Sequence, residues 1–149
     1  MELTTIVVEA VVATDPKEMS LREDRWSIAL DQQAFGPGRI WVAAADRAGH
    51  LLAIAYTEKT DPFDLALSCC LEHLFSLAIV PTAAVVFIDE PVKMAPPPPD
   101  LEFRFWWARE CTAQYGVHLV DWFACDPESE LFRSTRLAID PDSDWWDIP

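Results

Sequence analysis

The sequence is short of positive charge. Lys and Arg total 11 against 25 Asp and Glu, a formal net charge of -14, with a pI near 4.3. So acidic a surface repels phosphate backbones and anionic lipid heads, and no nucleic-acid or membrane partner is expected. Long apolar runs are lacking too. The longest, Leu74 to Ile88, is broken by Ser76, Pro81 and Thr82 and is too short to span a bilayer. The opening Met1-Glu2-Leu3-Thr4-Thr5-Ile6 has no basic stretch of the kind that begins a secretory signal. A cytoplasmic protein is the expectation. Cys69, Cys70, Cys111 and Cys125 show no C-x-x-C spacing, and each sits in an apolar segment. They read as buried, reduced thiols. His73 shares a helix face with Cys69 and Cys70, but the middle of a helix supplies no oxyanion donors, so no nucleophilic pair is expected.

What is present suffices for a core. The 149 residues are 51% hydrophobic and include seven Trp and eight Phe. A chain of this length buries roughly 70% of its unfolded surface and needs neither metal nor disulfide to fold. The expectation is one domain over residues 1–139 and an acidic, Trp-containing tail over 140–149.

Periodicity divides the chain into elements. Thr4–Ala13 (TTIVVEAVVA) is β-branched and nearly uncharged, and reads as a strand. Ser20-Leu21-Arg22-Glu23 has the form of a capping box, which predicts a helix through Trp26 and Leu30 to about Phe35. Arg39–Ala45 and His50–Glu58 flank a short turn and predict a β-hairpin, with Gly49 supplying positive φ. Asp61-Pro62-Phe63-Asp64 is a helix start. Leu67, Cys70, Leu71, Leu74, Phe75 and Ala78 then form one apolar helix face, closed by Pro81. Ala83–Ile88 is wholly apolar, as a central strand covered on both sides must be.

After Asp89-Glu90-Pro91 comes a proline segment, Pro96 to Pro99, read as a stiff connector. Asp100 is placed to cap a helix over Leu101–Tyr115, with Gly116 at its end. Val117–Cys125 and Leu131–Ile139 predict a second hairpin. The fold class expected is α+β (α/β-like), a single mixed β-sheet flanked by helices.

The hairpin stretch RIWVAAADRAGHLLAIAYTEKT, the following DPFDLALSCCLEHLFSLAIVPTAAVVFIDEPV and the later ARECTAQYGVHLVDWFAC together resemble RadC-type JAB/MPN domains. The resemblance rests on element order and patterning over roughly Arg39 to Ile139, and it implies a cytidine-deaminase-like layering. Active members of that family hold zinc through a His-x-His-Pro motif and a later Asp, with an upstream Glu as general base. Setting Pro91 on the motif proline puts Ile88 at the first His and Glu90 at the second. The distal Asp falls on Asp100 or, one slip later, on Glu102. The general base falls on Ala55 or Tyr56. His50, His73 and His118 lie elsewhere. An aliphatic side chain offers a cation no lone pair, so the resemblance implies a degenerate site at Ile88, Glu90 and Asp100, with no metal, no cofactor and no catalytic residue.

Three functions follow as expectations. The first is a non-catalytic JAB/MPN-like scaffold or protein-interaction module, working with a protein partner or as a homo-oligomer. The second is an acidic binding or inhibitor protein for a basic partner such as a nuclease. The third is a hydrolase rebuilt on Asp89, Glu90, Asp100 and Glu102. Candidate contact surfaces are Trp106 and Trp107, adjacent on one helix and so unable to share one core, and Trp145 and Trp146 with Asp144 and Asp147 in the tail.

Overall fold

The β-branched and alanine-rich runs flanking Asp46–Gly49 form the centre of a sheet. The computed structural model describes residues 7–14, 19–24, 38–58, 63–90, 92, 100–126, 128, 131–142 and 146. Six strands, β1 (Glu9–Val12), β2 (Arg39–Ala45), β3 (Leu51–Glu58), β4 (Ala83–Asp89), β5 (His118–Asp126) and β6 (Leu131–Ser134), join in the order β1-β3-β2-β4-β5-β6. Only β4 and β5 are parallel; the other neighbours are antiparallel. Helices α1 (Phe63–Ser76), α2 (Leu101–Ala113) and α3 (Thr135–Ile139) and a helical turn at 21–24 complete an α+β fold with a mixed sheet.

Both long helices cover the same sheet face. Ala66, Leu67, Cys70, Leu71 and Leu74 of α1, with Phe105 and Ala108 of α2, pack on Ile40, Val42, Val86, Ile88, Leu119 and Trp122. Burying a Leu or Phe side chain contributes roughly 1.5–3 kcal/mol, so this layer is a large part of the stability. The opposite face packs Trp41, Val85, Phe87, Val120 and Phe123 against Leu21, with Leu137 of α3 and Trp146 at its border. β4 is buried on both faces, as its unbroken apolar run predicts.

Several predicted boundaries move. The reciprocal cap of Ser20 is Asp24, whose Oδ2 accepts the Ser20 N–H at 3.0 Å, not Glu23. α1 ends at Ser76, well before Pro81. It closes in a Schellman motif, Ile79 N–H donating to Leu74 O at 3.0 Å, with Ala78 at φ 62°. Ala78 is therefore exposed and off the apolar face. α2 closes the same way through Gly116, and its Asp100 makes no side-chain cap bond.

The last strand stops at Ser134 because a helix starts there. Ser134 Oγ accepts the Leu137 N–H at 3.2 Å. Fully buried Asp121 accepts from Ser134 Oγ, from Arg136 N–H at 3.0 Å and from Trp122 N–H at 2.7 Å. Three donors offset the cost of burying that carboxylate. Asp61, the residues expected to continue the first helix (25–35) and the tetraproline lie outside the described residues.

Candidate functional site

Parallel strands β4 and β5 end side by side, and the residues singled out as a degenerate site, Ile88 and Glu90, fall at that end. Ile88 lies one residue before the end of β4, with its side chain in the core beneath the helices. Glu90 follows two residues on, its N–H donating to Cys125 O at 3.2 Å. Its Oε1 accepts from Arg104 Nη2 at 2.6 Å and from Arg133 Nη2 at 3.2 Å, tying the strand end to α2 and β6. Glu90 Oε2 and both arginine Nε atoms are buried and find no hydrogen-bond partner among the described residues. Asp100 is largely exposed, its carboxylate 3.8 Å from Arg104 Nε. Nearby, Asp126 spends its carboxylate on backbone, accepting from Val92 N–H and Glu128 N–H, each at 3.0 Å.

These residues do not fit zinc. Ile88, where the resemblance would put the first donor, is aliphatic, and Glu90, where it would put the second, faces two guanidiniums whose charge repels a cation. Among the described residues, no three His, Cys, Asp or Glu side chains converge as a metal site. Of the four loop acids, Glu90 and Asp100 meet the same Arg104 guanidinium, while Asp89 accepts from Gly38 N–H and Glu102 from the Trp106 indole at 3.3 Å.

Cys70 and Cys125 are buried, but Cys69 and Cys111 are only half-buried, short of the burial expected for all four cysteines. His50 Nδ1 meets Asp46 Oδ2 at 3.1 Å. Burial raises the Asp46 carboxyl, but hydrogen bonds from the His50 backbone and ring outweigh it, and the net shift is downward. His118 Nε2 lies 2.8 Å from Arg109 Nη2. Burial, with neighbouring Cys69, pushes the Cys70 thiol up to about 12, and burial with Asp89 does the same for Cys125. Both therefore stay protonated thiols near neutral pH.

The second candidate surface is on α2. Its inner stripe, Leu101, Phe105, Ala108 and Thr112, is buried. Its outer stripe is Phe103, Trp106, Trp107 and Glu110, at spacings i, i+3, i+4 and i+7, which bring residues to one helix face. Those four residues line an open groove of about 270 Å³. Phe103 is 69% exposed, Trp106 47% and Trp107 38%, so neither adjacent tryptophan is buried in the core. Trp107 leans its edge on Phe63 at 4.9 Å between ring centroids, which fixes it. The sequence reading singled out both tryptophans but missed Glu110. The i+3 step from Trp107 was the signal for it.

No family model, no curated protein and no solved structure matches the chain. Its chemistry therefore rests on its own residues.

In the tail, Trp146 docks on the chain itself. Its indole donates to Arg47 O at 3.1 Å, and the Arg22 guanidinium lies 5.9 Å from its ring centre. Arg47 belongs to the β2–β3 turn, and Arg22 packs on that turn at Gly49, whose φ of 97° and closeness to the Arg22 side chain leave no room for a Cβ. Trp145, Asp144 and Asp147 lie outside the described residues. Among the described residues, no helix is long and apolar enough to cross a membrane.

Proposed function

We propose that this chain is a non-catalytic, JAB/MPN-like protein-interaction module whose contact surface is the outer stripe of α2. The observation that carries this reading is three large aromatic side chains held on the solvent side of a helix whose core-facing stripe is already complete. Clustered exposed aromatics at helical spacing are costly to solubility, and tryptophan is enriched where proteins meet. The JAB/MPN-like part of the reading is supported by the succession of hairpin, helix, central strand, helix and strand. Its loss of catalysis is supported by Ile88 and by the two guanidiniums on Glu90.

The test is capture from host lysate by the wild-type chain and by Trp106→Ala/Trp107→Ala, each at low and high salt. A partner retained by wild type and lost by the double variant is expected. Equal capture by both would remove α2 as the surface. Stoichiometric zinc in protein purified without added metal would overturn the non-catalytic part.

The reading as an acidic binder of a basic partner shares one observation with this one: the groove is lined by three aromatic rings and a carboxylate. The two readings converge on the same face.

A further inference from the structure

We infer that the groove on α2 receives a cationic side chain, an arginine or lysine carried on an apolar segment of a basic partner protein. This rests on the interaction reading above and names its partner's chemistry.

The lining decides the class. Phe103, Trp106 and Trp107 present aromatic rings, and Glu110 presents a carboxylate beside them. Electron-rich ring faces attract cations, tryptophan most of all, and a neighbouring carboxylate adds Coulombic attraction. Glu102 stands on the same exposed side, hydrogen-bonded to the Trp106 indole at 3.3 Å, and holds that ring in place. The chain already seats a guanidinium on Trp106: Arg109 lies 5.2 Å from its centre and 5.4 Å from that of Phe105. A groove of about 270 Å³ lies just below the roughly 300 Å³ at which drug-sized ligand pockets begin, so it suits a side chain.

The charge balance decides the occupant. The arginines of α2 are engaged within the chain, Arg104 with Glu90, and Arg109 with Leu119 O and His118. A second copy docked stripe to stripe would bring two sets of Asp100, Glu102 and Glu110 to one seam, each on a chain of formal charge -14. Like charges at an interface cost affinity, and a two-fold contact doubles every one of them. A basic segment meets the opposite situation: attraction at long range from the whole chain, and rings and carboxylate at contact.

The experiment follows the tryptophan indole signals by NMR while a six-residue peptide of alternating arginine and leucine is added. A peptide with norleucine in place of arginine serves as the control. Shifts concentrated on the Trp106 and Trp107 indoles are expected, assigned through Trp106→Phe and Trp107→Phe. Binding should weaken at least tenfold in Glu110→Gln, a surface change that leaves the fold alone, and weaken again at high salt. The norleucine peptide should not bind.

Equal binding of both peptides would overturn the cationic assignment and leave the interaction reading standing. No binding of the arginine peptide, or shifts spread over indoles away from α2, would overturn it as well. Concentration-dependent broadening of the same two indoles without peptide would replace the basic partner with a second copy. If lysate capture by the double variant also equals wild type, the interaction reading falls with it.

Discussion

The two sides of α2 carry similar apolar content and opposite fates. Leu101, Phe105 and Ala108 face the sheet and are buried, while Phe103, Trp106 and Trp107 face solvent at 69%, 47% and 38% exposure. A surface helix ordinarily segregates apolar from polar residues, and a helix apolar on two sides is normally covered on both. The inner side contributes folding energy. The outer side contributes little to it and is free to contribute binding energy. Hydrophobicity alone does not separate the two roles; register against the sheet does.

The largest expected effect breaks the inner side. Phe105→Ala should cost about 3–5 kcal/mol, the usual loss for a fully buried Phe. Trp106→Ala should stay within about 1 kcal/mol, because the ring is half exposed. Urea midpoints of the two variants measure the contrast, and equal losses would mean that both sides are core.

Next is the anchor joining α2 to the strand ends. Glu90→Gln leaves Arg104 and Arg133, with side chains 25% and 13% exposed, as adjacent cations without their shared carboxylate. We expect about 2 kcal/mol of destabilisation, the residual exposure lowering the 3–5 kcal/mol typical of a fully buried broken pair. Adding Arg104→Met to Glu90→Gln should recover part of it. If Glu90→Gln costs nothing, the ion pairs do not hold α2.

Alkaline pH tests both core layers, Cys70 lying beneath the helices and Cys125 on the opposite sheet face. The Cys70 and Cys125 thiols ionise at about 12 in the fold against 9.0 when unfolded, because burial disfavours the charged form. A raised native pKa means that the unfolded chain loses these protons first. The stability is therefore complete below pH 9.0 and falls progressively toward pH 12. Melting temperatures across that range should decline, and the decline should be shallower in Cys70→Ala.

The smallest effect is at the end of α1. Ala78 sits at φ 62°, where glycine carries no steric penalty. Ala78→Gly should stabilise by about 0.5–1 kcal/mol, the left-handed strain relieved exceeding the entropy glycine adds to the unfolded chain. A lower urea midpoint would contradict the Schellman assignment.

Much of the frame was readable because it is local. The β2–β3 hairpin is written in two apolar runs around a glycine turn, and β4 in an uninterrupted Ala-Val-Phe-Ile stretch. The stripe on α2 was half legible, since Trp106 and Trp107 are neighbours and cannot both enter one core. What was not legible depends on partners far apart in sequence. Arg133 reaches Glu90 across 43 positions, and Asp121 fixes the Ser134 corner across 13. No period or propensity carries such contacts. Trp146 closing on Arg47 is the extreme case, at a separation of 99. The Asp24 cap was missed for a different reason: a four-residue reach competed with the usual three, and the shorter aspartate won.

The most direct measurement is oxidative footprinting of the chain alone and bound to its captured partner. We predict strong protection of Phe103, Trp106 and Trp107 on binding, with buried Phe105 unreactive in both states. Unchanged labelling of those three residues, with protection instead at the exposed Val11 and Val12 of edge strand β1, would contradict it.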